Sequence, residues 1–235
     1  TLLTALLNQN PEIHAGTLSP VFELMYYTNE ILHKEQAQAF PKPKAFQEIV
    51  TNTLINYYSD VNNPVVIDKC RAWPAHIDIL KKYVTNNPKL ICTVRHPLDM
   101  LASFITLFHK DKTHNFIDRA MTEQNIPITD DNRCHYMMNP GGIVWESMNA
   151  LATAFRQKQT QYIHFIQYDD LVSNPRLVMQ NLHGFLRLDS FNYDYDNIIQ
   201  KDREKDEVYG LVTMHEVRKS INKISKPYQE VLSTD

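Results

Sequence analysis

The chain has 235 residues, of which 43% are hydrophobic, and a net charge of −3. That length suits one large domain over residues 1–235 with a sizeable core. The charge argues against a whole-molecule nucleic-acid binder, so any basic patch must be local and matched to a small anionic ligand. No apolar run approaches the roughly 18 residues that a membrane span needs. Three cysteines, Cys70, Cys92 and Cys134, are too few and too scattered for a disulfide framework or a zinc site. They fit a reducing, cytoplasmic compartment, with Cys70 and Cys92 as buried thiols.

Thr1 to Pro11 reads as an amphipathic helix ended by Asn10-Pro11. Glu12 to Ser19 reads as a loop. Pro20 to Glu35 is helical, with Val21, Leu24, Met25, Ile31 and Leu32 on one side. Phe40 to Lys44 breaks the chain, and Ala45 to Tyr58 is a further helix. Val65 to Asp68 is a β-branched strand. Ile77 to Val84 is helical, and Asn86-Asn87-Pro88 ends it. A short buried strand, Leu90 to Val94, precedes a helix from Asp99 to His109, with Pro97 where a first turn tolerates proline. Between Asp111 and Pro140 the signals are mixed: a short helix over Phe116 to Gln124, then a mobile loop around Pro127 to Asn139. Ile143 to Lys158 is a long helix. Tyr162 to Pro175 reads as a strand and turn, followed by a helix from Pro175 to Leu186. The acidic, Tyr-rich segment from Asp189 to Glu207 is expected to cover one side of a cleft. Alternating strands and helices predict an α/β domain with a parallel sheet.

Ligands bind at the carboxyl edge of such a sheet. Arg95 lies at that edge, and Ser103 lies two turns into the next helix. A planar guanidinium and a hydroxyl converging there make an anion clamp. The alternative is an Arg facing solvent at an ordinary helix start.

The stretch Arg95-His96-Pro97-Leu98-Asp99 followed by Ser103 resembles the 3′-phosphate-binding motif of sulfotransferases, Arg-x-Pro-x-Asp-x-x-x-Ser. In that family the Arg and Ser hold the 3′-phosphate of 3′-phosphoadenosine 5′-phosphosulfate (PAPS). The first helix resembles the one that follows the family's phosphosulfate loop, which makes Thr1 the last hydroxyl of a loop whose other residues, with the strand before it, precede the given chain. In such a loop, backbone N–H groups cradle phosphate oxygens. Tyr168-Asp169-Asp170-Leu171-Val172, then Pro175, resembles the family's Tyr-Glu-Asp-Leu-Val segment. The resemblance implies that Tyr168 packs near the adenine, while Asp169 and Asp170 read as capping residues. Val212 to Pro227 is similar to a C-terminal segment of protein-tyrosine sulfotransferases, which places Ser220 and Lys226 on the nucleotide with Arg218 and Lys219 adding charge nearby. A solvated basic run is the alternative there.

Four matches in family order imply a three-layer, P-loop-NTPase-like α/β fold with a central parallel sheet flanked by helices. They imply sulfuryl transfer from PAPS to a hydroxyl or amine on a small-molecule, carbohydrate or peptide acceptor, with no metal. The same resemblance points to Lys69, after the second strand, as the group that stabilises the transferring sulfuryl. Arg71 assists or binds an acidic acceptor, and Trp73 packs. Protein-tyrosine sulfotransferases carry Gly-Glu-Glu after the first helix, with the second Glu as base; this chain has Gly16-Thr17-Leu18. Glu23, one helical turn further on, is the substitute, with His14 and Asp68 as alternatives. Tyr26, Tyr27, His109 and Tyr136 are possible cleft residues. A non-catalytic nucleotide-binding module of the same fold and a P-loop kinase are the competing readings; the kinase would need a Gly-x-x-x-x-Gly-Lys-Ser/Thr loop and an acidic magnesium ligand.

Overall fold

A computed structural model describes residues 1–111, 114–221 and 227–232. In chain order the elements are α1 (Leu2–Leu7), β1 (Ile13–Leu18), α2 (Val21–Ile31), α3 (Glu35–Ala39), α4 (Pro43–Tyr57), β2 (Val65–Lys69) and α5 (Ile77–Tyr83). They continue with β3 (Leu90–Val94), α6 (Pro97–Lys110), α7 (Phe116–Glu123), α8 (Asp130–Met138) and α9 (Ile143–Arg156). The last are β4 (Ile163–Gln167), α10 (Tyr168–Ser173) and α11 (Pro175–Leu186). None of these helices is long and apolar enough to cross a membrane.

The strands form two parallel pairs, β1 with β2 and β3 with β4. The single central sheet expected from the sequence is therefore divided: among the described residues no ladder joins β2 to β3. The two pairs still share a core, because Ile67 of β2 and Ile91 of β3 pack on one apolar cluster with Leu6, Ile13, Ile166 and Leu182. A second cluster gathers α2, α4 and α5 around Met25, Val50 and Ile77. A third sits among α6, α7, α8 and α9, around Ile105, Met121, Met137 and Val144.

Three expectations need correcting. Glu12 to Ser19 is not a loop, since it contains β1. Its Ile13 and Ala15 side chains are buried, and Val65 to Lys69 supplies a parallel partner. The other edge of β1 is closed by a side chain: Ala15 N–H donates to Asn8 Oδ1 (2.7 Å), and Asn8 Nδ2 donates to Ala15 O (2.9 Å). The segment from Pro127 to Asn139 contains α8. Thr129 caps it by accepting from Asn132 N–H (3.2 Å), and Asp130 and Asp131 fill the first turn, where the helix dipole favours them. Arg133 then locks α8 to α7 with a two-pronged contact on buried Asp118, both prongs at 2.8 Å. Finally, the turn expected after β4 is a short helix, α10, with Asp169 and Asp170 in its first turn.

Cys70 and Cys92 are half-buried and not the fully buried thiols expected, because each packs at the margin of the second apolar cluster; that burial still pushes both thiols up to about 11, so both are protonated and poorly nucleophilic near neutral pH. All three cysteines are unpaired.

Asn8 is 5% exposed. Asn8→Ala should leave the Ala15 N–H and C=O unpaired at a buried strand edge and lower the unfolding free energy by about 2–3 kcal/mol. Urea titration followed by circular dichroism measures this; a loss under about 0.5 kcal/mol would show that water replaces the amide.

Candidate functional site

β3 and β4 run parallel in continuous register from Leu90 opposite Ile163 to Val94 opposite Gln167. The next residue of each strand therefore emerges at the same level, on the carboxyl edge. These residues are Arg95 and Tyr168, and the guanidinium carbon lies 4.8 Å from the centre of the phenol ring. Such a stack contributes about 0.5–1 kcal/mol at a partly exposed position, and it presets the plane of the guanidinium. Among the described residues Arg95 has no carboxylate partner. The α6 helix starts two residues later, with Pro97 in its first turn and His96 Nδ1 accepting from Leu98 N–H (3.3 Å). Ser103 lies on the exposed side of α6, one turn after Asp99. Asp99 Oδ1 accepts from Tyr228 N–H (3.3 Å), and the Tyr228 ring stacks on His96 at 5.4 Å. The Arg95 end of the site is thus bordered by a part of the chain that is 129 residues from Asp99 in sequence.

A second group of polar residues lies at the carboxyl ends of β1 and β2. Their register skips between Ala15 and Leu18, so β1 bulges at Gly16-Thr17. Bulges re-aim side chains and end pairing next to sites. Thr1, Thr4, Gly16, Thr17, Lys69 and Glu204 border a shallow cleft open to solvent. Lys69 Nζ donates to Glu204 Oε1 (2.6 Å), and the same oxygen accepts from Leu18 N–H (3.2 Å). Glu204 Oε2 lies 3.3 Å from His215 Nδ1, which is 2.6 Å from Asp206 Oδ1. Carboxylates only accept, so His215 Nδ1 carries a proton. Burial disfavours the charged form of Glu204, but the hydrogen bond and charge of Lys69, with His215 and the Leu18 N–H, outweigh it and hold the carboxyl below the usual range.

Asp68, a possible base in the sequence reading, has another task. Its carboxylate accepts from Ser19 Oγ, from Tyr58 OH (2.6 Å) and from Trp73 Nε1 (2.7 Å). It ties together the end of β1, the end of α4 and the turn after β2. Burial, and then the bond to Asp68, push the Tyr58 phenol far up, so it stays a neutral donor. Trp73 is buried against Phe22 at 5.2 Å, a packing residue as expected.

The remaining expected residues scatter. Glu23 stands exposed in the first turn of α2 and does not border the Lys69 cleft. The His14 ring meets the Tyr58 ring edge-on at 6.0 Å. Thr1 is the N-cap of α1, with no side-chain capping bond, and borders the cleft. Arg218 and Lys219 are exposed. Their turn is held by Ile198 N–H donating to Lys219 O (2.6 Å) and Ile221 N–H donating to Tyr195 O (3.2 Å) on either side of Ser220. Lys226 lies outside the described residues. Arg71 borders a second cleft with His76, Glu146 and Asn149. Tyr26 and Tyr27 sit together on α2, whereas His109 is bound to Asp130 (2.8 Å) and Tyr136 accepts from Gln124 (3.1 Å), so these four do not line one cleft.

Sequence reasoning missed Glu204 and the Asp206–His215 pair. The only signal was the acidic run that was expected to cover a cleft. It does so, and it supplies a carboxylate to Lys69.

A model of the sulfotransferase family matches residues 1–192. The chain belongs to the sulfotransferase family. Among solved structures, a sulfotransferase domain from the curacin biosynthetic pathway superposes with a TM-score of 0.51 at 18% identity, covering 89% of this chain and 76% of that one. At that identity the likeness concerns the fold. No curated protein matches the sequence.

The Glu204 carboxyl titrates lower when folded than when unfolded. Its contribution is therefore complete above the unfolded value of about 4.3 and is lost as pH falls through the lower folded value. Between about pH 5 and pH 3, the urea midpoint of the native protein should fall more steeply than that of Glu204→Gln. Parallel curves would show that the ion pair adds nothing to stability.

Proposed function

We propose that this chain transfers a sulfuryl group from PAPS to a hydroxyl or amine acceptor, on a three-layer, P-loop-like scaffold in one domain. The observation that carries the reading is Arg95. It stacks on Tyr168 at the carboxyl edge of β3 and β4, has no carboxylate partner among the described residues, and is followed by a helix with an exposed Ser103. A guanidinium ready to meet an anion, a hydroxyl donor and an aromatic face suit a 3′-phosphorylated adenine nucleotide. In this reading Arg95 and Ser103 hold the 3′-phosphate, and Tyr168 packs near the base. Thr1, Arg218, Lys219, Ser220 and Lys226 are proposed to hold the rest of the nucleotide.

When bound, PAPS supplies a sulfuryl group on a phosphate leaving group: the acceptor atom bonds to sulfur, the bond from sulfur to the 5′-phosphate oxygen breaks, and its electron pair leaves with adenosine 3′,5′-bisphosphate. Lys69 presents its ammonium at the end of β2, where it would stabilise charge developing on the transferring group. It must first leave Glu204, so the hydrogen bond between them is exchanged for a contact with the donor. The acceptor is proposed to be a small molecule, carbohydrate or peptide, and the compartment to be the cytoplasm, which suits three unpaired cysteines.

A second reading, a nucleotide-binding module without catalysis, is favoured by two observations. Lys69 is engaged by a carboxylate at 2.6 Å, and Glu23 lies outside the cleft. Turnover separates the two readings.

Calorimetric titration with adenosine 3′,5′-bisphosphate against adenosine 5′-monophosphate tests the nucleotide assignment. Binding should require the 3′-phosphate. Arg95→Ala should weaken it by about 10- to 100-fold, the loss expected for a charge-assisted contact, and should erase the preference for the bisphosphate; unchanged affinity in a folded variant removes Arg95 from the site. Lys69→Ala should lower turnover at least about tenfold while leaving bisphosphate affinity within about threefold. Normal turnover would exclude Lys69 from the chemistry.

A further inference from the structure

We propose, building on the sulfotransfer reading, that Glu204 is the general base, and that its Oε2 takes the proton of the acceptor as the acceptor bonds to sulfur.

Neither the β1 end nor Glu23 places a carboxylate beside Lys69. Asp68 accepts three hydrogen bonds from protein donors, which leaves it committed to structure. The carboxylates that border the Lys69 cleft are Asp202 and Glu204. Asp202 is exposed, whereas the Glu204 side chain is only 8% exposed and is anchored through Oε1 by Lys69 and the Leu18 N–H.

The two oxygens of Glu204 differ. Oε1 accepts from Lys69 and from the Leu18 N–H. Among the described residues, the polar group beside Oε2 is His215, at 3.3 Å, and the Nδ1 proton of that ring is directed to Asp206 at 2.6 Å. Oε2 is therefore the open acceptor of the carboxylate. His215 is itself held at three points: its backbone N–H donates to Asp206 Oδ2 (2.8 Å), its carbonyl accepts from Gln200 (3.0 Å), and its Nδ1 meets Oδ1 of the buried Asp206 (2.6 Å). The base is thus oriented before any substrate arrives, as general-base catalysis requires.

The partners explain how the basicity of Glu204 changes during the cycle. With Lys69 bound to Oε1, the carboxylate is a weak base. When Lys69 turns to the donor, that hydrogen bond loosens and the affinity of Glu204 for a proton rises. The proton balance is complete: the acceptor O–H or N–H proton moves to Oε2, the leaving phosphate takes the electron pair of the broken bond, and the proton later passes to solvent. Among the described residues, the titratable groups facing Glu204 include Lys69 on β2, His215 and Asp206 in the C-terminal turns, Lys201 and Asp202 along the cleft, and the amino group of Thr1.

The test uses the whole protein with PAPS as donor, and with water and then 2-naphthol as acceptor. Release of adenosine 3′,5′-bisphosphate is followed beside its calorimetric affinity. Glu204→Gln keeps the shape of the side chain and an acceptor oxygen for Lys69. It should lower release by about 100-fold or more, the usual weight of a general base, with bisphosphate affinity unchanged within twofold. It should also remove the acidic limb of the pH profile. Glu204→Ala should regain activity with added formate, which a purely structural role does not predict. A carbon-13 titration of the carboxyl groups gives a readout independent of turnover: the signal lost in Glu204→Gln should move to higher pH in Lys69→Ala. Full release by Glu204→Gln overturns the base while leaving sulfotransfer standing. Bisphosphate binding without any release by the native protein overturns catalysis, and the base with it. Absence of a 3′-phosphate preference overturns the sulfotransfer reading itself.

Discussion

Val94 and Gln167 are the last paired residues of β3 and β4, and their shared register governs the geometry of the site. Parallel strands in register end level, so the residues that follow them meet side by side. Arg95 lies over Tyr168 for this reason and not through any local preference of either residue. A slip of one residue would move every core side chain of the pair to the opposite face, and Ile163 and Ile166 are buried on different clusters that hold the register. The apolar packing on both faces thus fixes the position of a charged group at the edge.

The β1–β2 pair does the corresponding work for Lys69, with one addition. A parallel pair ending in a bulge would leave the strand tips loose. Asp68 prevents this by accepting from Ser19, Tyr58 and Trp73, three donors from three elements. A partly buried carboxylate is costly unless its lone pairs are filled, and here three protein donors fill them. The next residue along therefore presents its ammonium from a rigid base.

Long-range contacts close the site. The segment after α11 returns to α1, where the Gln9 side chain donates to Asp194 O and accepts from Asp194 N–H, both at 2.7 Å. Lys201 Nζ donates to Asn8 O at 2.5 Å. The same segment delivers Glu204 to Lys69, and its backbone holds the basic turn at Lys219. One strap thus links the basic C-terminal turn to the Lys69 cleft.

Local pattern accounts for the elements with strong periodicity or punctuation. The Leu90–Val94 strand, the helix opened by Pro97, the helix from Pro175 to Leu186 and the placing of Arg95 at a strand end all follow from local pattern, because neighbours in sequence are neighbours in those elements. Local pattern failed where stability comes from elsewhere. β1 contains a glycine and polar residues and reads as a loop; it is a strand because Asn8 and β2 satisfy its backbone from two sides. α8 is polar and reads as a loop; it is a helix because Arg133 finds Asp118 on α7. Only tertiary structure decided that Asp68 is a buttress, that Glu23 lies away from the cleft, and that Glu204 meets Lys69 from 135 residues away. A hydrogen bond between groups so distant in the chain leaves no periodic trace, because it depends on where two separate elements come to rest.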